Sequence, residues 1–119
     1  MPVEKRTPIY VILENIRSLY NVGSAFRTSD GCNISKLFLA GFTGFPPRNE
    51  ISKTALGAEK YISWEHYDNT GEVIDLLQKE KGCRIVAVEK TEKSIDYTKF
   101  DFKFPTCLIF GNEIMGVSK

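Results

Sequence analysis

The sequence predicts an α/β domain whose sheet is mostly parallel and flanked by helices. Three observations carry this. Short runs at 9–13, 36–40, 84–88 and 106–110 are apolar almost without a break and rich in β-branched and aromatic residues, the pattern of strands covered on both faces. Segments between them have helical spacing or helix caps. Strands and helices alternate along 119 residues, enough for one domain with a real hydrophobic core.

Residues 1–8 are polar, contain Pro2 and Pro8 and read as a lead-in, leaving 9–119 for the domain. After the first strand, Asn21 is a candidate helix N-cap, because its side-chain oxygen can accept an orphan backbone N–H. Val22, Ala25, Phe26 and Ser29 then fall at i, i+3, i+4 and i+7, a stripe that can face the sheet, and Gly31 suits the C′ position. The second strand, 36–40, leads to a loop with Gly41, Gly44, Pro46 and Pro47. A short helix or turn over 52–60 is interrupted by Gly57, and a third strand is expected over 61–67. Asn69 and Glu72 have the spacing of a capping box; Val73, Leu76 and Leu77 line one helical face, and Gly82 closes it. The fourth strand is 84–88, residues 89–104 read as an irregular crossing loop, and the fifth strand, 106–110, runs into Gly111.

Composition narrows the function classes. The chain is 42% hydrophobic and 26% charged with a net charge of +1, so any nucleic-acid surface has to be local. There is no long apolar span and no charged-then-apolar leader, which predicts neither a membrane span nor a secretory signal. Cys32, Cys83 and Cys107 form no C-x-x-C and read as buried, reduced thiols of a cytosolic protein. His66 is the only histidine, too few ligands for a clustered zinc site. Neither a phosphate loop nor a G-x-G-x-x-G fingerprint occurs.

Ligands of parallel sheets bind beyond the carboxyl ends of strands, which singles out the loops after Leu13, Val88 and Phe110. The first opens a helix displaying Asn21, Gly23 and Arg27. Arg27 suits a phosphate clamp but could equally pair with Asp30 at i+3. Gly111, Asn112 and Glu113 follow the fifth strand, where Glu113 could accept hydrogen bonds or simply favour the first turn of a helix. Arg6, Arg17, Arg48 and Lys53 flank these loops and could track a nucleic-acid backbone. Tyr61, Trp64 and Tyr67 could stack bases, although strand aromatics usually belong to the core. His66 has no visible partner.

Two stretches become informative together. Asn21-x-Gly23-x-x-x-Arg27 resembles the first signature motif of the SpoU (TrmH-like) RNA ribose methyltransferases of the SPOUT superfamily. The run from Leu108 through Gly111-Asn-Glu113 to Gly116 resembles their second. Lys53-Thr-Ala-Leu-Gly-Ala-Glu59 is similar to the segment between them, and Glu89-Lys-Thr-Glu-Lys-Ser94 to the loop after the fourth strand. The resemblance covers essentially the whole chain in the family's order.

It implies an α/β domain with a deep C-terminal trefoil knot, a cytoplasmic homodimer, and S-adenosylmethionine bound in the knot. The methyl group would go to a ribose 2′-hydroxyl of tRNA or rRNA. Carried onto this chain, Arg27 is the catalytic arginine, Asn21 positions the reacting groups and Glu113 supports the site. Val88, Glu89, Gly111 and Asn112 lie at the cofactor, and Arg17, Arg48 and Lys53 lie along the RNA. The family's third motif, an Asn/Ser-containing segment after a further strand, has no counterpart before Lys119. The expectation is therefore a domain incomplete at its C-terminus, lacking the knot segment and exposing apolar surface. A non-catalytic RNA-binding remnant of the same fold is the alternative, and a flavodoxin-like nucleotide binder would leave both motifs unexplained.

Overall fold

The computed structural model describes residues 7–88 and 105–111. Five strands, β1 (Thr7–Glu14), β2 (Ile34–Ala40), β3 (Trp64–Tyr67), β4 (Arg84–Val88) and β5 (Thr106–Phe110), form one sheet in the order β3-β2-β1-β5-β4. Every pairing in it is parallel. Helices α1 (Leu19–Gly31) and α2 (Asn49–Ala55), with a 3₁₀ turn at Ala58–Lys60, pack on one face, and α3 (Thr70–Lys81) on the other. This is the α/β architecture expected from the alternation of segments. No described helix is long and apolar enough to cross a membrane.

In β1 and β2 the continuous apolar runs are explained by burial on both sides, whereas β4, at the edge of the sheet, has no buried residue and departs from that expectation. Side chains alternate across a strand, so Val11 and Leu13 of β1 join Val22 and Phe26 of α1 and Ile51 of α2. Ile12 turns the other way and meets Phe38, Ile109, Val73 and Leu77. Ile12, Phe26 and Val73 are wholly buried, each worth roughly 1.5–3 kcal/mol of apolar transfer.

Helix ends differ from expectation at α1. Ser18, not Asn21, is the N-cap: its Oγ accepts the Asn21 backbone N–H at 3.2 Å. A hydroxyl three residues ahead of that amide starts the helix at Leu19 and leaves Asn21 exposed in its first turn. Gly31 is the last helical residue, not C′; Cys32 caps the helix, and Asn33 makes the left-handed turn with φ 58°. At α3 the expected caps hold, with Asn69 Oδ1 accepting the Gly71 N–H at 2.7 Å and Gly82 left-handed.

Strand β3 is shorter than the expected 61–67. The Tyr61 and Ile62 amides both donate to the Ala58 carbonyl at 3.0 Å, so the chain is still folded onto the 3₁₀ turn, and pairing with β2 begins at Trp64. Tyr61 is therefore 72% exposed, whereas Trp64 and Tyr67 pack against the two halves of the core. Cys83 and Cys107 are buried as expected. Cys32 is exposed, because the end of α1 lies at the surface. The loop expected over 89–104 lies outside the described residues.

Candidate functional site

The sheet order brings the ends of the chain together. Leu13 of β1 pairs with Phe110 of β5, and Phe110 pairs with Val88 of β4. The three strand ends singled out from sequence therefore lie side by side at the carboxyl edge, where parallel sheets take their ligands.

The loop after β1 is built to hold its position. Asn15 adopts φ 53°, its amide donates to the Ala40 carbonyl at 3.1 Å, and its Oδ1 accepts the Phe42 amide at 3.1 Å. Thr43, 1% exposed, donates its hydroxyl to the Leu13 carbonyl at 3.1 Å and accepts the Ile16 amide at 2.9 Å. The loop after β2 thereby satisfies backbone groups that leave the sheet at β1.

Two clefts flank the solvent side of α1. The first, of about 640 Å³, runs between α1 and the face of β1 and β5; Leu13, Ile16, Asn21, Leu108, Phe110 and Gly111 are among the residues lining it. It is mostly apolar. The second, of about 490 Å³, is lined by Ser24, Arg27, Thr28, Lys53, Thr54 and Leu56. Ser24 and Thr28 line both clefts, so Asn21 and Gly111 on one side and Arg27 and Lys53 on the other belong to adjoining surfaces.

Among the described residues, the second cleft has two cationic side chains, three hydroxyls and no carboxylate. The alternative in which Arg27 pairs with Asp30 is not seen: among the described residues no carboxylate lies within ion-pairing distance of Arg27. A guanidinium and an ammonium with hydroxyl donors are groups whose chemistry suits phosphate. Gly23 does not admit a ligand. A β-carbon there would overlap the Thr54 hydroxyl and the Ile51 carbonyl, so this glycine lets α2 approach α1 and thereby carries Lys53 towards Arg27.

Arg17 and Arg48 are exposed in the loop before α1 and at the start of α2. Val88 and Gly111 lie at adjacent strand ends. Glu89, Asn112 and Glu113 lie outside the described residues. Sequence reasoning missed Ser24 and Thr28, which with Asn21 fall at i, i+3 and i+7, a polar stripe beside the apolar one. It also missed His66, whose Nε2–H donates to the Gly41 carbonyl at 3.1 Å.

Solved structures of similar fold include RNA methyltransferases. The AdoMet-bound rRNA methyltransferase from Sinorhizobium meliloti superposes with a TM-score of 0.80 at 30% identity, covering 96% of this chain and 43% of that one. The SpoU methyltransferase AviRb from Streptomyces viridochromogenes, in complex with the cofactor AdoMet, gives 0.82 at 25% identity over 98% of this chain and 45% of its own. The sequence profile of the SpoU rRNA Methylase family matches residues 8–119, and the chain belongs to that family. Among curated relatives, the tRNA (guanosine(18)-2′-O)-methyltransferase of Aquifex aeolicus is 30% identical over 98% of this chain and 54% of its own length. That of Thermus thermophilus is 28% identical over 98% of this chain and 59% of its own. The chain thus spans little more than half the length of these relatives.

Proposed function

We propose that this chain is part of an S-adenosylmethionine-dependent enzyme that methylates a ribose 2′-hydroxyl of tRNA or rRNA. The observation that carries the proposal is Arg27, unpaired among the described residues, beside Lys53 in a cleft whose described lining holds no acid, adjoining the cleft of Asn21 and Gly111. Family membership and two AdoMet-bound neighbours support it.

The described residues fit the cofactor as far as they reach. Val88 and Gly111 end neighbouring strands, so their backbone groups can meet the hydrogen-bonding edge of an adenosyl group, and the apolar wall at Leu13 and Phe110 can take its flat faces. Glu89 and Asn112 would complete the cradle. The cofactor supplies a methyl group activated by attachment to a sulfonium sulfur.

A ribose hydroxyl is a weak nucleophile until its proton leaves. Arginine's ordinary pKa, ~12.5 or higher, makes it a poor proton acceptor at neutral pH. In this reading Arg27 grips the adjacent RNA phosphate and stabilises the charge developing on the 2′-oxygen as the proton passes to that phosphate and on to solvent. The oxygen–methyl bond would form as the sulfur–methyl bond breaks, leaving S-adenosylhomocysteine. Asn21 orients the ribose, Glu113 supports the second motif, and Lys53, Arg17 and Arg48 follow the backbone. We extend the family's homodimer, trefoil knot and cytoplasmic setting to the whole protein as part of the same proposal.

The test is methyl transfer from radiolabelled S-adenosylmethionine to tRNA and rRNA by the whole protein. Arg27→Ala should lower the rate by ~10²-fold or more, the scale of a lost proton-transfer or charge-stabilising group, with cofactor affinity unchanged. Unchanged transfer would overturn the role of Arg27. Stoichiometric cofactor binding by the 119-residue chain itself would set aside the non-catalytic alternative.

A further inference from the structure

The loop between β2 and α2 holds two aromatic rings out of the core. Phe42 is 57% exposed and Phe45 41%, yet the backbone between and around them is pinned. The Gly41 amide donates to the Tyr67 carbonyl at 2.9 Å, Phe42 is tied to Asn15, Thr43 is buried under two hydrogen bonds, and Gly44 lies directly on the Leu19 side chain. Burying Thr43 leaves Phe42 outside on one side of it and Phe45 on the other.

Phe45 is also supported from below. Its ring centroid lies 4.4 Å from that of His66 and 6.0 Å from that of Trp64, each at 34°. Trp64 stands edge-on to the buried Phe26 at 6.4 Å, and His66 is held by its bond to the Gly41 carbonyl. An aromatic column thus runs from the core to a partly exposed ring. The loop itself is tied to the wall of the first cleft, because Leu13 and Ile16, the two residues bonded to Thr43, line that cleft.

We infer that Phe42 and Phe45 form a stacking platform for unpaired bases of the RNA substrate, an inference that rests on the RNA reading above. Preorganised aromatic faces beside cationic side chains are how proteins hold single-stranded RNA, whose bases offer π-faces and whose backbone offers charge. Exposed Arg48 follows Phe45 by three residues, and exposed Arg17 stands in the loop that bonds Phe42. A protein partner would favour a contiguous apolar patch, whereas the loops that carry and hold these rings also carry the two exposed arginines.

The experiment is titration of the chain with single-stranded RNA carrying 2-aminopurine, read by affinity and by quenching of the base's fluorescence. Wild type should bind and quench. Phe45→Leu, which keeps apolar bulk over His66, should bind roughly tenfold more weakly and lose most of the quenching, Phe42→Leu should behave alike, and Phe45→Tyr should restore both signals. Wild-type affinity and quenching in both leucine variants would overturn the platform and leave the RNA reading standing. Leucine variants that alter only the sedimenting oligomer would assign the rings to an interface between copies and overturn it as well. A wild-type chain that binds no RNA at low salt would overturn the RNA reading itself, and the platform with it.

Discussion

Gly23 of α1 and Thr54 of α2 are in direct contact, and the Thr54 hydroxyl donates to the Tyr20 carbonyl at 2.8 Å, one turn before Gly23. This contact sets the distance between the helix bearing Arg27 and the helix bearing Lys53. The first motif's glycine acts on the cleft of Arg27 and Lys53 by letting two helices meet.

Replacing Gly23 with alanine should therefore destabilise the fold, although alanine is favoured in helices by ~1 kcal/mol. The added carbon would overlap the Ile51 carbonyl, backbone that a side-chain rotation cannot clear, and overpacking costs roughly 1–3 kcal/mol. Thermal unfolding should show a lower Tm for Gly23→Ala; an unchanged or higher Tm would contradict the packing described.

Thr43→Val should remove two hydrogen bonds with little change in volume. It leaves the Ile16 amide and the Leu13 carbonyl without their buried partner, a loss of about 1–3 kcal/mol for an unsatisfied buried group. Urea denaturation should show a lower midpoint for valine, with Thr43→Ser closer to wild type because it keeps the hydroxyl.

The cleft of Arg27 and Lys53 makes a salt-dependent prediction. If Lys53 contacts one phosphate, Lys53→Ala should weaken RNA binding across sequences and reduce the slope of log affinity against log salt by about 1. The Phe45 variants should leave that slope alone, since stacking releases no counterions. Equal slopes for Lys53→Ala and wild type would remove Lys53 from the backbone path.

Thiol chemistry should follow burial. Desolvation pushes the Cys107 thiol up to about 12, with neighbouring Cys83 adding to the effect, while Cys32 is exposed. Ellman's reagent should label Cys32 rapidly in the native protein and Cys107 only after unfolding. The folded-state pKa lies above the unfolded value, ~8.5, so the unfolded chain loses this proton first. The contribution to stability is full below that pH and falls as pH rises towards about 12. Cys107→Ala should flatten that alkaline decline in a series of denaturation curves.

Much of this was legible along the chain. The strands at 84–88 and 106–110 and the helix capped by Asn69 and Gly82 lie where local pattern placed them. Their signals are complete within a few residues. The start of α1 was misread because Ser18 and Asn21 are both good caps. The choice between them depends on where the loop after β1, tied down by Thr43 and Asn15, releases the chain. The third strand was read too long because Tyr61 and Ile62 suit a strand by residue type. Their amides, however, are engaged by the Ala58 carbonyl.

From sequence alone came the alternation of strands and helices, because a strand buried on both faces must be apolar throughout, and the set of residues carrying the family's motifs. Tertiary structure alone decided which of them meet. Strand order depends on pairing between distant segments, and it was the insertion of β5 beside β1 that put Gly111 on the same cleft as Asn21. The docking of α2 on Gly23 set Lys53 beside Arg27. Whether an exposed arginine pairs with the acid three residues on or lines a cleft beside a lysine is settled by side-chain packing, to which sequence spacing is blind.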